Sequence, residues 1–172
     1  MSLGLRLAAW VPAAVVVAAL VVVLAFGLSH PTPAPAPSLV GSEAPSITIR
    51  ASDGSSVATA ELLGRPVVLN FWASWCDPCR LEAPILASGA RSRPDIAFVG
   101  AAIQDDAEDA ATFVSRYSIP YPAGVITDGS YLRYGVTAPP ETFFIDGHGR
   151  IAARHVGPLD SGLLAGYLDQ LA

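Results

Sequence analysis

The segment Cys76-Asp77-Pro78-Cys79 holds the only two cysteines of this 172-residue chain. Their spacing lets the second sulfur resolve a mixed disulfide formed by the first. The pair lies where a strand-like run, Val67-Val68-Leu69-Asn70-Phe71-Trp72, passes into a helix-like run from Leu81 to Ala90. The first turn of a helix carries unpaired N–H groups and the positive end of the macrodipole. Both favour a thiolate over a thiol, and the thiolate is the nucleophile of disulfide exchange. Pro78 suits a first helical turn, where its missing N–H has no partner to lose. This combination predicts a redox-active dithiol.

Three other uses of the pair compete with that reading. A structural disulfide here closes a very small loop and constrains the unfolded chain little. A zinc half-site needs two more ligands, and His30, His148 and His155 lack the paired spacing of such sites. Two inert buried thiols need neither the spacing nor the junction.

Glu82 stands three residues after Cys79, so the two share a helix face. A carboxylate there raises a neighbouring thiol pKa by like-charge repulsion, and its own pKa rises with burial. Such a group can carry the proton of Cys79 during exchange. It also disfavours the reduced thiolate form, which makes the pair a better electron donor. The competing reading of Glu82 is a solvated helix residue. Asp77 pushes the same way more weakly through solvent.

The elements that must position these residues alternate along the chain. Ile47-Thr48-Ile49-Arg50 reads as a strand and Ser52-Asp53-Gly54-Ser55 as a hairpin turn. Val67–Trp72 and Ile96–Ile103 are continuous apolar runs and so buried strands. Asp77 to Arg91 reads as a helix in which Pro84 introduces a kink. Asp106–Tyr117 reads as an amphipathic helix with Ala110, Phe113, Val114 and Tyr117 on one face. Val125–Thr127 is a short strand and Ser130–Tyr134 a short helix. Thr142–Asp146 and Ile151–Val156 form a hairpin about Gly147-His148-Gly149, and Ser161–Leu171 is a closing helix. The order βαβαβ followed by ββα predicts an α/β fold with a mixed sheet and helices on both faces. The acidic run Asp105, Asp106, Glu108 and Asp109 reads as a solvated helix N-terminus.

The first forty-six residues are organised differently. Leu7 to Leu28 carries no charge and spans about 33 Å as a helix, enough for a ~30 Å hydrocarbon core. Arg6 precedes it and no basic residue follows closely, which places the N-terminus in the cytoplasm and the remainder outside. The run exceeds a usual signal-peptide core, so 1–28 reads as an uncleaved signal anchor in the cytoplasmic membrane. Residues 29–46, with prolines at 31, 33, 35 and 37, read as an extended linker. Residues 47–172 suffice for one domain with its own core. Net charge is −5 and all ten basic residues are dispersed arginines, which argues against a nucleic-acid partner.

Two segments carry a resemblance. Asn70-Phe71-Trp72-Ala73-Ser74-Trp75-Cys76-Asp77-Pro78-Cys79-Arg80-Leu81-Glu82-Ala83-Pro84 resembles the active-site segment of the TlpA-like thioredoxins. Tyr134 to Gly147, with Pro139-Pro140-Glu141-Thr142-Phe143 inside it, resembles their cis-proline segment. With Arg154-His155-Val156-Gly157, the similarity is to the CcmG/DsbE-type cytochrome c biogenesis proteins. It covers residues 41–172 and implies a thioredoxin-like fold with an N-terminal hairpin.

The resemblance also implies roles. Cys76 is the attacking thiol, Cys79 the buried resolving thiol, Glu82 the acid beneath them and Pro140 the cis-proline facing the sulfurs. Trp75, Pro139 and Glu141 border the substrate. The family commonly has a residue with an N–H before the cis-proline, whereas Pro139 has none, so one backbone contact to a client is missing. No cofactor beyond the dithiol and no metal is expected. The implied activity is reduction of a client disulfide, that of apocytochrome c, with electrons from a membrane thiol carrier and the domain on the periplasmic side. Rival functions are a thiol reductant for copper-site assembly, a disulfide-forming oxidant and a non-enzymatic thiol adaptor for metal. Gly41-Ser42-Glu43-Ala44-Pro45 also resembles the opening of peroxiredoxins, but Leu69 and Ala73 stand where those need Pro and Thr or Ser.

Overall fold

Strict alternation along Val67–Trp72 (β3) divides the core between two faces of one sheet. Val67, Leu69 and Phe71 join Ile49, Val99, Tyr134 and Phe143 on one face. Val68 packs with Leu86, Phe98, Phe144 and Leu164, and Trp72 with Ala83 and Phe113, on the other. This arrangement belongs to a computed structural model of the chain, in which residues 14–23, 25 and 39–171 are described.

The remaining elements follow in order. They are the strands Thr48–Ala51 (β1) and Ser56–Ala58 (β2), the helix Asp77–Ser92 (α1) and the strand Ala97–Ala102 (β4). The helix Ala107–Arg116 (α2), the strand Ala123–Asp128 (β5), the strands Glu141–Ile145 (β6) and Ile151–Val156 (β7), and the helix Ser161–Gln170 (α3) complete the set. Single 3-10 turns occupy Thr59–Leu62 and Tyr131–Tyr134. The seven strands lie in the order β2-β1-β5-β4-β3-β6-β7. β3 pairs parallel to β4 and antiparallel to β6, so the sheet is mixed and β3 is central.

The α-helices fall on one face rather than on both. The crossovers β3-α1-β4 and β4-α2-β5 step in the same direction across the sheet, and right-handed connections then put both helices on the same side. α3 joins them by burying Leu164 and Leu168 beside Leu86 of α1. The opposite face is covered by the two 3-10 turns through Leu62, Tyr131 and Tyr134, with Leu39 and Ala44 from the N-terminal side.

Residues 39–46, read from the sequence as linker, are packed on the domain. Gly41 N–H donates to Ile151 O at 2.8 Å and Ala44 N–H to Gly149 O at 2.9 Å. The hairpin between β6 and β7 offers free backbone groups there, and the chain satisfies them. The sequence read Ser130–Tyr134 as a helix. It forms a short helix of the 3-10 type over Tyr131–Tyr134, capped by the Ser130 hydroxyl and ended by Gly135, which turns left-handed at φ 68°.

The chain divides into two units, Met1–Pro37 and Ser38–Ala172. In the first, residues 14–23 and 25 are helical. Among the described residues no helix is long and apolar enough to cross a membrane. The ends of the expected span Leu7–Leu28, and the proline-rich residues 29–37, lie outside the described residues.

Candidate active site

β3 ends at Trp72 and delivers the chain to the N-terminus of α1, where the two cysteines form a disulfide with Cα atoms 5.3 Å apart. Cys76 is the N-cap of α1, and the Cys79 N–H donates to its Sγ at 3.2 Å. A helix N-cap normally offers an oxygen to that N–H. Here a sulfur takes its place, so the N–H that caps the helix also stabilises charge on Cys76 once the bond is reduced. Asp77 opens the first turn and Pro78 follows it. Both sulfur residues are buried, Cys79 (1% exposed) more than Cys76 (4%).

Three residues after Cys79 on α1, Glu82 is 1% exposed. Its Oε1 accepts from Asn70 Nδ2 at 2.8 Å and its Oε2 from the Leu159 N–H at 3.1 Å. Neither partner carries charge. Burial pushes the Glu82 carboxyl up to about 7, against the two hydrogen bonds, which pull it down. The same burial raises the Tyr121 hydroxyl above its ordinary value, helped by the negative charge of Glu82. Asn70 Nδ2 also donates to Thr142 Oγ1 at 3.0 Å, so β3, β6 and α1 share one polar chain inside the core. Asn70 was not singled out from the sequence. Its signal was there: one amide in the middle of an apolar strand.

Pro139-Pro140 is a cis peptide bond, directly before β6, and Pro140 is buried. The Gly157 N–H donates to Pro140 O at 2.9 Å, which leaves that carbonyl engaged within the domain. Pro139 is half-buried. Glu141, expected beside the substrate, is 2% exposed, and its Oε2 accepts from Arg154 Nε at 2.9 Å and Nη2 at 2.6 Å. Arg154 comes from β7, sits 5.4 Å above the Phe143 ring centre and also reaches Gly135 O at 3.3 Å. Trp75 is 51% exposed next to Cys76, with its indole N–H on Gln104 O at 3.0 Å.

Asp105 departs from its reading as one member of a solvated acidic run. Asp106 is the cap of α2, taking the N–H groups of Glu108 and Asp109. Asp105 is half-buried and turned instead toward Ser74, accepting from its N–H at 2.6 Å and its hydroxyl at 2.8 Å. Among the described residues no cluster of His, Cys, Asp or Glu could hold a metal ion.

A buried disulfide at a helix N-terminus, with a buried carboxyl poised near neutrality one turn further along the same helix, can exchange two electrons with another protein's sulfurs. Residues 39–171 match the family described as Redoxin. The chain belongs to the Redoxin family. It is 41% identical over 129 residues to the thiol:disulfide interchange protein DsbE homolog of Paracoccus denitrificans, covering 70% of this chain and 68% of that protein. It is 35% identical to the thiol:disulfide interchange protein HelX of Rhodobacter capsulatus, covering 77% of each. Among solved structures, a secreted Mycobacterium tuberculosis disulfide oxidoreductase homologous to DsbE aligns with TM-score 0.64 at 29% identity, covering 72% of this chain and 95% of that one. A thioredoxin-family thiol:disulfide interchange protein from Chlorobium tepidum aligns with TM-score 0.67 at 26% identity, covering 80% and 99%.

This Redoxin member is a thiol-disulfide oxidoreductase of the DsbE/HelX/ResA type, and its chain carries the Cys76–Cys79 disulfide.

Proposed function

We propose that this protein is a membrane-anchored, extracytoplasmic reductase whose client is the disulfide of apocytochrome c. The observation that carries the reductant reading is the buried Glu82 with neutral partners only, next to the resolving cysteine. A carboxylate there opposes thiolate formation in the reduced pair and so favours giving electrons away. The uncharged run Leu7–Leu28 and the similarity of the active-site and cis-proline segments to the cytochrome c biogenesis group support the anchor and the client.

The steps balance as two successive exchanges. A membrane thiol carrier reduces the Cys76–Cys79 disulfide and is itself oxidised. The Cys76 thiolate then attacks one sulfur of the client disulfide, and the other client sulfur leaves as a thiolate. Glu82 takes the proton of Cys79. The Cys79 thiolate attacks Cys76 Sγ, the mixed bond breaks, and the client departs with two thiols once protonated. Pro139 offers a passing client strand a carbonyl and no N–H.

Trapping tests this. In the full chain in its native membrane, Cys79→Ser stops the second attack and holds the mixed disulfide at Cys76. Mass spectrometry of the trapped species should return apocytochrome c. Capture of a copper-site protein instead sinks the client assignment. Absence of any thiol-linked partner sinks the exchange in the cell.

A further inference from the structure

The segment between β3 and Cys76 is only three residues long, and its middle residue has every polar group tied down. Ser74 gives its N–H to Asp105 Oδ2 at 2.6 Å and its hydroxyl to Asp105 Oδ1 at 2.8 Å. Its carbonyl accepts from Arg80 Nη2 at 3.0 Å and Nε at 3.3 Å. Arg80 is held in turn by Asp77, at 2.8 Å from Nη1 to Oδ1. The next residue, Trp75, is anchored to Gln104 O, so the loop leaving β4 grips two consecutive residues before the nucleophile. Gln104 adopts φ 51°, a left-handed conformation uncommon outside glycine. That bend directs the Gln104 carbonyl to Trp75, while Asp105, the next residue, faces Ser74.

We infer that Asp105 is a positioning residue for disulfide exchange: through Ser74 it holds Cys76 Sγ over the first turn of α1, within reach of the Cys79 N–H. This rests on the oxidoreductase reading above. Both carboxylate oxygens accept from Ser74, Oδ1 taking the Asp106 N–H at 3.1 Å as well, and charge-assisted hydrogen bonds of this kind are the strong ones. Arg80 closes the clamp from the helix side and holds it by the carbonyl. Released from Asp105, the backbone N–H and hydroxyl of Ser74 must find water, and the sulfur loses its fixed place at the helix end.

The charge of Asp105 and its grip have opposite effects on the Cys76 thiol, which makes them separable. Removing a nearby negative charge lowers the thiol pKa. Moving the sulfur away from the helix N-terminus raises it. Asp105→Asn removes the charge but keeps an oxygen for the Ser74 N–H and an NH₂ for the hydroxyl, losing only the acceptor of the neighbouring Asp106 N–H. Asp105→Ala removes both.

The test is the pH dependence of Cys76 alkylation by iodoacetamide in the reduced full chain, in detergent. Asp77, Arg80, Glu82 and the Glu141–Arg154 pair are unchanged across the series. Asp105→Ala should raise the Cys76 pKa by about half to one unit, cutting thiolate at neutral pH about three- to tenfold. Asp105→Asn should show no rise and recover most of the alkylation rate. Ser74→Ala, which keeps the N–H bond and loses only the hydroxyl bond, should give a smaller rise; it carries the test if Asp105→Ala does not fold. Equal lowering in both Asp105 variants overturns the inference in favour of a charge effect. A pKa unmoved in all three overturns it in favour of a purely structural residue. Alkylation needs no client, so a wrong client assignment leaves this result intact.

Discussion

Two carboxylates are buried at this end of the sheet, and the protein neutralises them by different means. Glu141, at the start of β6, meets the guanidinium of Arg154 through two nitrogens on one oxygen. Glu82, on α1, meets an amide and a backbone N–H. Both are almost sealed from solvent, at 2% and 1% exposure. An ionised group leaving water needs a counter-charge or a proton. Glu141 has the counter-charge, and Glu82 relies on the proton. The ion pair is a fixture: it joins β6 to β7 and, through Gly135 O, to the loop that carries Pro139 and Pro140. The unpaired acid is mobile in charge, which is what the proton carrier proposed for Cys79 requires.

Breaking the fixture should give the largest effect. Arg154→Ala strands Glu141 without its partner, and a buried ion pair broken on one side costs about 3–5 kcal/mol. Loss of the contact over Phe143 adds to it. Urea denaturation at pH 7 reads the change directly. Replacing both members, as Glu141→Gln with Arg154→Met, should recover much of the loss, since no charge then remains to strand. A single Arg154→Ala variant as stable as the parent would mean that Glu141 reaches water and that the two acids do not differ as described.

Removing the proton-dependent acid comes next. The folded protein holds the Glu82 proton up to about pH 7, whereas the unfolded chain releases it near the ordinary value of 4.5. The folded state therefore binds more protons between these values, and stability falls as pH rises through that window. The decline amounts to about 3 kcal/mol and is complete above pH 7. Glu82→Gln abolishes it: the variant should match the parent near pH 4.5 and exceed it by about 2–3 kcal/mol at pH 8 in thermal or urea unfolding. With Glu82 as the proposed acceptor of the Cys79 proton, the exchange rate should lose its inflection near pH 7 and fall. Parallel stability curves for the two proteins from pH 4.5 to 8 contradict the unpaired state of Glu82.

The contrast between the acids also shows what a sequence exposes and what it hides. The position of Glu82 was legible, because a helix fixes its face relative to Cys79 from spacing alone. The strand β3 was legible as a local apolar run, and β6 and β7 as runs flanking the glycine turn at Gly147-His148-Gly149. Arg154 as partner of Glu141 was not, since the two come together only when β7 pairs with β6 in the register Glu141↔Val156 and Phe143↔Arg154. Asp105 looked like its acidic neighbours because nothing local distinguishes a carboxylate that faces water from one that faces Ser74, across 31 residues of chain. The helices were visible as elements, but their placement on a single face depended on the lateral order of β3, β4 and β5, which is a property of pairing. Residues 39–46 read as linker because they adjoin the proline-rich run 31–37, while their backbone bonds to the β6–β7 hairpin carry no side-chain signature.

The smallest of the three effects isolates how the neutral partners hold Glu82. Asn70 donates to both Glu82 Oε1 and Thr142 Oγ1 from one nitrogen. A hydrogen bond to the ionised form lowers a carboxyl pKa, so Asn70→Ala should raise the Glu82 pKa further above 7. The buried oxygen left without a donor costs about 1–2 kcal/mol once it is charged and less while it keeps its proton. Asn70→Ala should therefore be more destabilising at pH 8 than at pH 5, and the kinetic inflection should move to higher pH. Arg154 variants should leave that inflection where it is, because their partner is the other carboxylate. An inflection that stays at pH 7 in Asn70→Ala, or moves in Arg154→Met, would mean that the two acids titrate as one network and that the separation between fixture and carrier is wrong.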